Sequence, residues 1–199
     1  MAGIAFAQAG GDYLYNVVRV EIEELDPATM DVKADATKYV IDCDSEIGLD
    51  PEINEGKKTV LRDAKRILAQ AKEEDLLEAM NLKLTTVKLP VAALPIIQGG
   101  VLRYDASEPK KIIGYDAPTM AEGATNKKYF RLSAYVENYE GESVINYVKF
   151  VFHKCRGKIL KLDLKKEFFA PEFDVRGTEN TKLKKPCYTF DYVDVLPVA

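Results

Sequence analysis

The chain has 199 residues and 22.3 kDa, enough for one sizeable core or two small ones, and 47% hydrophobic with 30% charged residues excludes a disordered or membrane-spanning class. Lys and Arg number 28 against 32 Asp and Glu, a net charge of −4, which argues against tight phosphate-backbone binding as the main activity. The three cysteines, Cys43, Cys155 and Cys187, form no closely spaced pair, and an odd count fits reduced thiols in a cytosolic setting.

Residues 1–12 combine Gly3, Gly10 and Gly11 with small apolar residues and no bulky period, so they read as a flexible arm that orders against a partner. The arm lacks a basic leader, which predicts a protein made and kept in the cytoplasm. No stretch approaches the roughly 18 apolar residues of a membrane-crossing helix, so no membrane partner is expected. The remainder, 13–199, reads as one β-rich domain.

The dominant period is two. Between Leu14 and Glu24, Leu14, Val18, Val20 and Ile22 fall on one face and Tyr15, Arg19, Glu21 and Glu23 on the other, a half-buried strand ended by Asp26-Pro27. Lys38 to Cys43 reads as its return strand, with Tyr39, Ile41 and Cys43 on one face. Residues 44–62 are rich in Asp, Glu, Gly, Pro and Lys and read as a long exposed loop. Arg62 to Met80 supports either a helix on Ala64, Ile67, Leu68 and Ala71, or a strand on Ile67, Ala69 and Ala71. Met80, Leu82 and Leu84 then alternate as a strand.

Pro90 to Gln98, stopped by Gly99-Gly100, is the best helix candidate, with Pro95 required in its first turn or at a kink. Val101 to Tyr104 and Lys111 to Tyr115 read as short strands, and Asp116 to Asn126 as a loop. Tyr129 to Asn138 and Val144 to His153 form a long hairpin turned at Glu140-Gly141-Glu142. Leu160, Leu162 and Leu164, then Phe168 to Gly177, then Cys187 to Val195 complete a nearly all-strand half. Regular strands between short turns point to a sandwich or barrel.

No catalytic, cofactor-binding or metal constellation stands out. His153, Cys155 and a distant Cys187 or Cys43 lack the local spacing of a zinc site, and a His153–Cys155 pair has no third orienting group. Gly99-Gly100 follows a helix, whereas a phosphate-cradling loop precedes one. The acidic pairs Glu23-Glu24 and Glu73-Glu74 read as solvated surface. Lys165-Lys166 and Lys184-Lys185 read as loop solvation or subunit pairing.

The order Leu94 to Ile97, Gly99-Gly100, Val101 to Tyr104, Phe152-His153-Lys154-Cys155-Arg156-Gly157, Phe168-Phe169-Ala170-Pro171-Glu172-Phe173 and a last strand ending Val195-Leu196-Pro197 resembles major tail proteins of long-tailed bacteriophages and prophages of Gram-positive bacteria. The resemblance covers most of the chain loosely. It implies a mainly β, tail-tube-like β-sandwich or partly open barrel with one short flanking helix, and no enzyme activity or cofactor. It further implies a homo-oligomer of stacked six-subunit rings in a virion tail, assembled in the host cytoplasm, with other tail proteins such as a tape measure as partners. DNA would pass through the lumen without specific binding. In such a tube the face carrying Arg19, Glu21 and Glu23 would turn away from the subunit core, to the channel, which the acidic majority favours, to a neighbouring subunit or to outer solvent. The alternative function is a β-sandwich module that binds a polysaccharide or protein on a platform of Tyr129, Tyr135, Tyr139 and Tyr147.

Overall fold

A computed structural model describes residues 11–64, 66–86, 88–121, 128–161 and 171–197, with the side chains of 42–45 and 68 left aside. The protein is mainly β, with 60% of the described residues in strands and 5% in helix. Eleven strands are named in chain order: β1 Tyr13–Glu24, β2 Tyr39–Asn54, β3 Lys58–Asp63, β4 Arg66–Lys72, β5 Leu76–Thr85, β6 Val101–Tyr104, β7 Ile112–Asp116, β8 Phe130–Glu140, β9 Ser143–Gly157, β10 Glu172–Thr178 and β11 Tyr188–Val193. Among the described residues no helix is long and apolar enough to cross a membrane.

Seven strands form one antiparallel sheet in the order β10-β5-β2-β1-β8-β9-β11, and β3-β4 and β6-β7 are separate two-stranded ribbons. The large sheet curls until β10 also meets the end of β9 through Val175–Gly157, Arg176–Arg156 and Gly177–Cys155. Closure goes no further, because β11 occupies the rest of that β9 edge from Tyr147 to Phe152. The architecture is thus a partly open barrel. An irregularity in β9 sets this division: Phe130 faces Cys155 but Leu132 faces Phe152, so β9 carries an extra residue there.

The core fills the curl. Val20 and Ile22 of β1, Ile41 of β2, Met80, Leu82 and Leu84 of β5, Phe130, Leu132 and Ala134 of β8, Phe152 of β9, and Phe173 and Val175 of β10 are all buried. The Pro90 to Gln98 segment supplies the plug, as a 3-10 turn Val91–Ala93 followed by α1, Leu94–Ile97, whose Leu94, Ile96 and Ile97 are buried. Pro95 sits in the first turn, where its missing N–H costs nothing. Gln98 ties this plug down: its side chain donates to the Tyr115 hydroxyl at 3.0 Å and accepts the Leu160 N–H at 2.7 Å.

Several expectations change in the folded chain. Residues 44–62 are not a loop: β2 runs on to Asn54 against β5, and β3 begins at Lys58. Ile47, Leu49 and Pro51 lie opposite Leu84, Leu82 and Met80, so a period of two was present beneath the charges. Arg62 to Met80 resolves as strand, with Leu61, Ala69, Val60 and Gln70 paired in the β3–β4 hairpin. In β1, Leu14 is exposed and Val17, instead of Val18, packs on the core. Register shifts between Tyr15 and Val17 and between Val17 and Arg19, with Asn16 at φ 59°, reset the alternation. Leu160 belongs to no strand, and Leu162 and Leu164 lie outside the described residues, as do residues 1–10 of the arm, Lys165-Lys166 and Phe168 to Ala170.

Candidate assembly surfaces and the charged face of the first strand

The outward face of β1 does not carry the exposed acidic row expected for it. Arg19 and Glu21 are only 6% and 1% exposed, and Tyr135 of β8 is 1% exposed beside them. The Arg19 guanidinium lies 3.1 Å from Glu21 but is not aligned with it as a hydrogen bond, and it donates instead to the Pro197 carbonyl. The chain end therefore returns to the outer side of β1, 178 residues away in sequence. Glu21 Oε2 accepts from the Tyr135 hydroxyl at 3.2 Å and pairs with Lys38 at 3.3 Å. Burial, followed by the adjacent Glu21 carboxylate, pushes the Tyr135 phenol up to about 12.

Glu23 is half-buried, and its carboxylate takes both Nε and a terminal nitrogen of Arg131 at 2.9 and 2.6 Å, a forked pair across directly opposed strand positions. Glu24 pairs with Lys33 and, at 3.0 Å, with Lys128. Burial raises the Glu24 carboxyl, and the two lysines outweigh it and hold the group below its usual range. The two carboxylates on this face, Glu21 and Glu23, thus meet three cations, Arg19, Lys38 and Arg131, while Glu24 with its two lysines falls on the opposite side of the strand. Of the residues expected to face a channel, Arg19 and Glu21 are corrected to buried positions, and the face is not an acidic wall. No periodicity argument could anticipate this, because the covering residues come from the far end of the chain.

The larger exposed feature is a ribbon. β2 pairs with β1 no further than Ser45, which leaves that edge of β2 open from Glu46 onward, and β10 accompanies β5 no further than Ala79, so from the Ile53–Leu77 pair outward β2 and β5 run as two strands alone. The β3–β4 hairpin continues from their ends. Gly56 N–H donates to Asp75 at 3.0 Å and Glu73 N–H to the Lys57 carbonyl at 3.2 Å, which joins the two pieces. Along this ribbon Leu49, Ile53, Leu61, Ile67, Leu76 and Leu77 are exposed, Leu76 by 66%. At the opposite sheet edge β11 exposes Phe190 and Tyr192, stacked edge to face at 6.3 Å between centroids. Asp12, the last residue of the expected arm, is held there by Tyr192 at 2.6 Å and by Asn138 at 3.0 Å.

The four tyrosines weighed as a binding platform are not one surface. Tyr135 is buried, whereas Tyr129, Tyr139 and Tyr147 are half-buried, with Tyr139 against Tyr15 and Tyr129 beneath Lys154 and Arg156. The β9 irregularity also separates His153 from Cys155: the thiol lies in the core, and the His153 ring meets the Thr189 hydroxyl at 3.0 Å. Burial pushes the Cys155 and Cys187 thiols up, which keeps them protonated and unreactive. Among the described residues no group of three or more His, Cys, Asp or Glu side chains is arranged to hold a metal ion. No protein-family model matches this chain, and no curated protein sequence matches it.

Proposed function

We propose that this protein is a structural subunit that self-assembles into stacked rings, forming a tube of the kind built by major tail proteins, with DNA passing through its lumen. The observation that carries the reading is the β2–β5 ribbon with its β3–β4 extension. It holds apolar side chains in water on strands with open edges, a state that folded monomers avoid and that a neighbouring subunit relieves. Six-subunit rings in a virion tail, beside partners such as a tape-measure protein, follow from the family resemblance of the sequence. Arg19 and Glu21, being buried, line no channel in this reading.

The test is negative-stain imaging of the purified chain beside a variant lacking residues 57–73, in which Gly56 is joined directly to Glu74. The hydrogen bonds at the base of the hairpin place those two ends together, so the shortened chain keeps its barrel. Rings or tubes from the full chain, and dispersed folded subunits from the variant, are expected. A full chain that stays monomeric at high concentration and binds glycans overturns the proposal in favour of a binding module. Normal tubes from the variant remove the ribbon from the assembly contact.

A further inference from the structure

The short seam between β9 and β10 brings together charges that a sheet normally keeps apart. Arg156 and Arg176 are directly opposed across it, and like charges at such positions repel. Lys154 on β9 and Lys158, just past its end, flank Arg156, while Cys155 and Gly157 between them are buried. These four cations, with Tyr129 and Thr178, line a concave pocket of about 430 Å³. Lys154 Nζ and the Arg156 guanidinium carbon lie 5.2 and 5.7 Å from the centre of the Tyr129 ring, which holds both cations at the pocket wall.

The local charge does not cancel. Arg176 is engaged by Glu52 at 3.0 Å and Glu78 at 3.4 Å, and Asp174 by Lys161 at 3.1 Å. Among the described residues Lys154, Arg156 and Lys158 form no ion pair. Among the described residues four cations against two carboxylates, Glu52 and Glu78, leave a surplus of two positive charges over one small concavity. We infer that this pocket is a binding site for a phosphate dianion, either inorganic phosphate or a terminal phosphomonoester. A carboxylate supplies one charge and two acceptor atoms. A phosphate group supplies nearly two charges and three acceptors, and its oxygens match the planar Arg156 fork, the ammonium groups and the Thr178 hydroxyl. The inference is independent of the assembly reading, and the net charge of −4 does not oppose it, because the surplus is local.

Thermal unfolding at low ionic strength, titrated with inorganic phosphate, tests the site. At ten times the dissociation constant the melting temperature should rise by about 4 °C. Lys154→Gln combined with Arg156→Gln should abolish that rise while leaving circular dichroism unchanged. In phosphate-free buffer Arg156→Gln alone should melt within about 2 °C of the parent, because relief of the like-charge pair offsets the lost contact with the Tyr129 ring; a larger loss of stability would mark Arg156 as structural and overturn the proposal. An equal rise with acetate, no rise with phosphate, or an undiminished rise in the double variant would do the same. A 5′-phosphorylated oligonucleotide that outcompetes its 5′-hydroxyl counterpart identifies the terminal ester as the source, and a response to inorganic phosphate alone identifies the free ion. Equal binding of both oligonucleotides assigns the cations to the diester backbone and overturns the monoester site.

Discussion

Glu21 shows how one side chain decides the character of a whole face. Its carboxylate is withdrawn from water and held by Arg19, Lys38 and the Tyr135 hydroxyl, so removing it leaves the Arg19 guanidinium buried without its countercharge. Glu21→Ala should cost about 3–5 kcal/mol in chemical denaturation, and Tyr135→Phe, which deletes one hydrogen bond to a charged acceptor, about 1–3 kcal/mol. Equal small losses for both would show that the cluster is solvated after all. Glu21→Lys should not fold, because it sets a third cation beside Arg19 and Lys38 at a position closed to water. His153 gives a second residue-level test. Burial first, then Lys185 and Arg131, hold its imidazole below the usual 6.5 in the folded chain. Between those two values the unfolded chain binds the proton and the folded chain does not. Stability present above about pH 6.5 should therefore fall as the pH drops through the folded value, and His153→Gln should flatten that part of the pH profile.

At the scale of elements, the contact between α1 and β9 positions the plug. Gly157 lies so close to the helix that a Cβ there would sit 2.1 Å from the Ile97 carbonyl oxygen, a backbone atom that cannot swing away. Gly157→Ala should lower stability by about 2 kcal/mol or more, read as a reduced melting temperature, and should also loosen the adjoining phosphate pocket. An unchanged melting temperature would mean that α1 rides freely on the sheet. The helix end depends on a second glycine, Gly100, whose φ of +86° and whose approach to the Asp116 carbonyl oxygen at 2.3 Å from a Cβ leave no room for a side chain. The Gly99-Gly100 stop was legible in the sequence for this reason. β2 was not legible over 44–54, because Asp44, Glu46, Asp50, Glu52 and Pro51 mask the alternation of Ile47, Leu49 and Ile53. Its strand state is set by pairing with β5, whose partner residues lie 22 to 39 positions later in the chain.

For the whole molecule, sequence alone determined the class and most of the β elements, since alternation in β8, β9 and β10 is a local property of covalent geometry that burial only has to exploit. It also located the helical plug, because Pro near the start and Gly after the end of an apolar run act within a single turn. The tertiary structure alone decided which faces are covered. The return of Pro197 to Arg19, the cross-strand meeting of Arg156 with Arg176, and the two-stranded ribbon from β2 and β5 each join residues distant in the chain. Strand alternation fixes two faces for every strand but is blind to what lies across each face, and a bulge such as those in β1 and β9 exchanges the faces midway. Charge behaves likewise: −4 is a sum over the chain, whereas a cation surplus at one seam depends on which strands the fold makes neighbours.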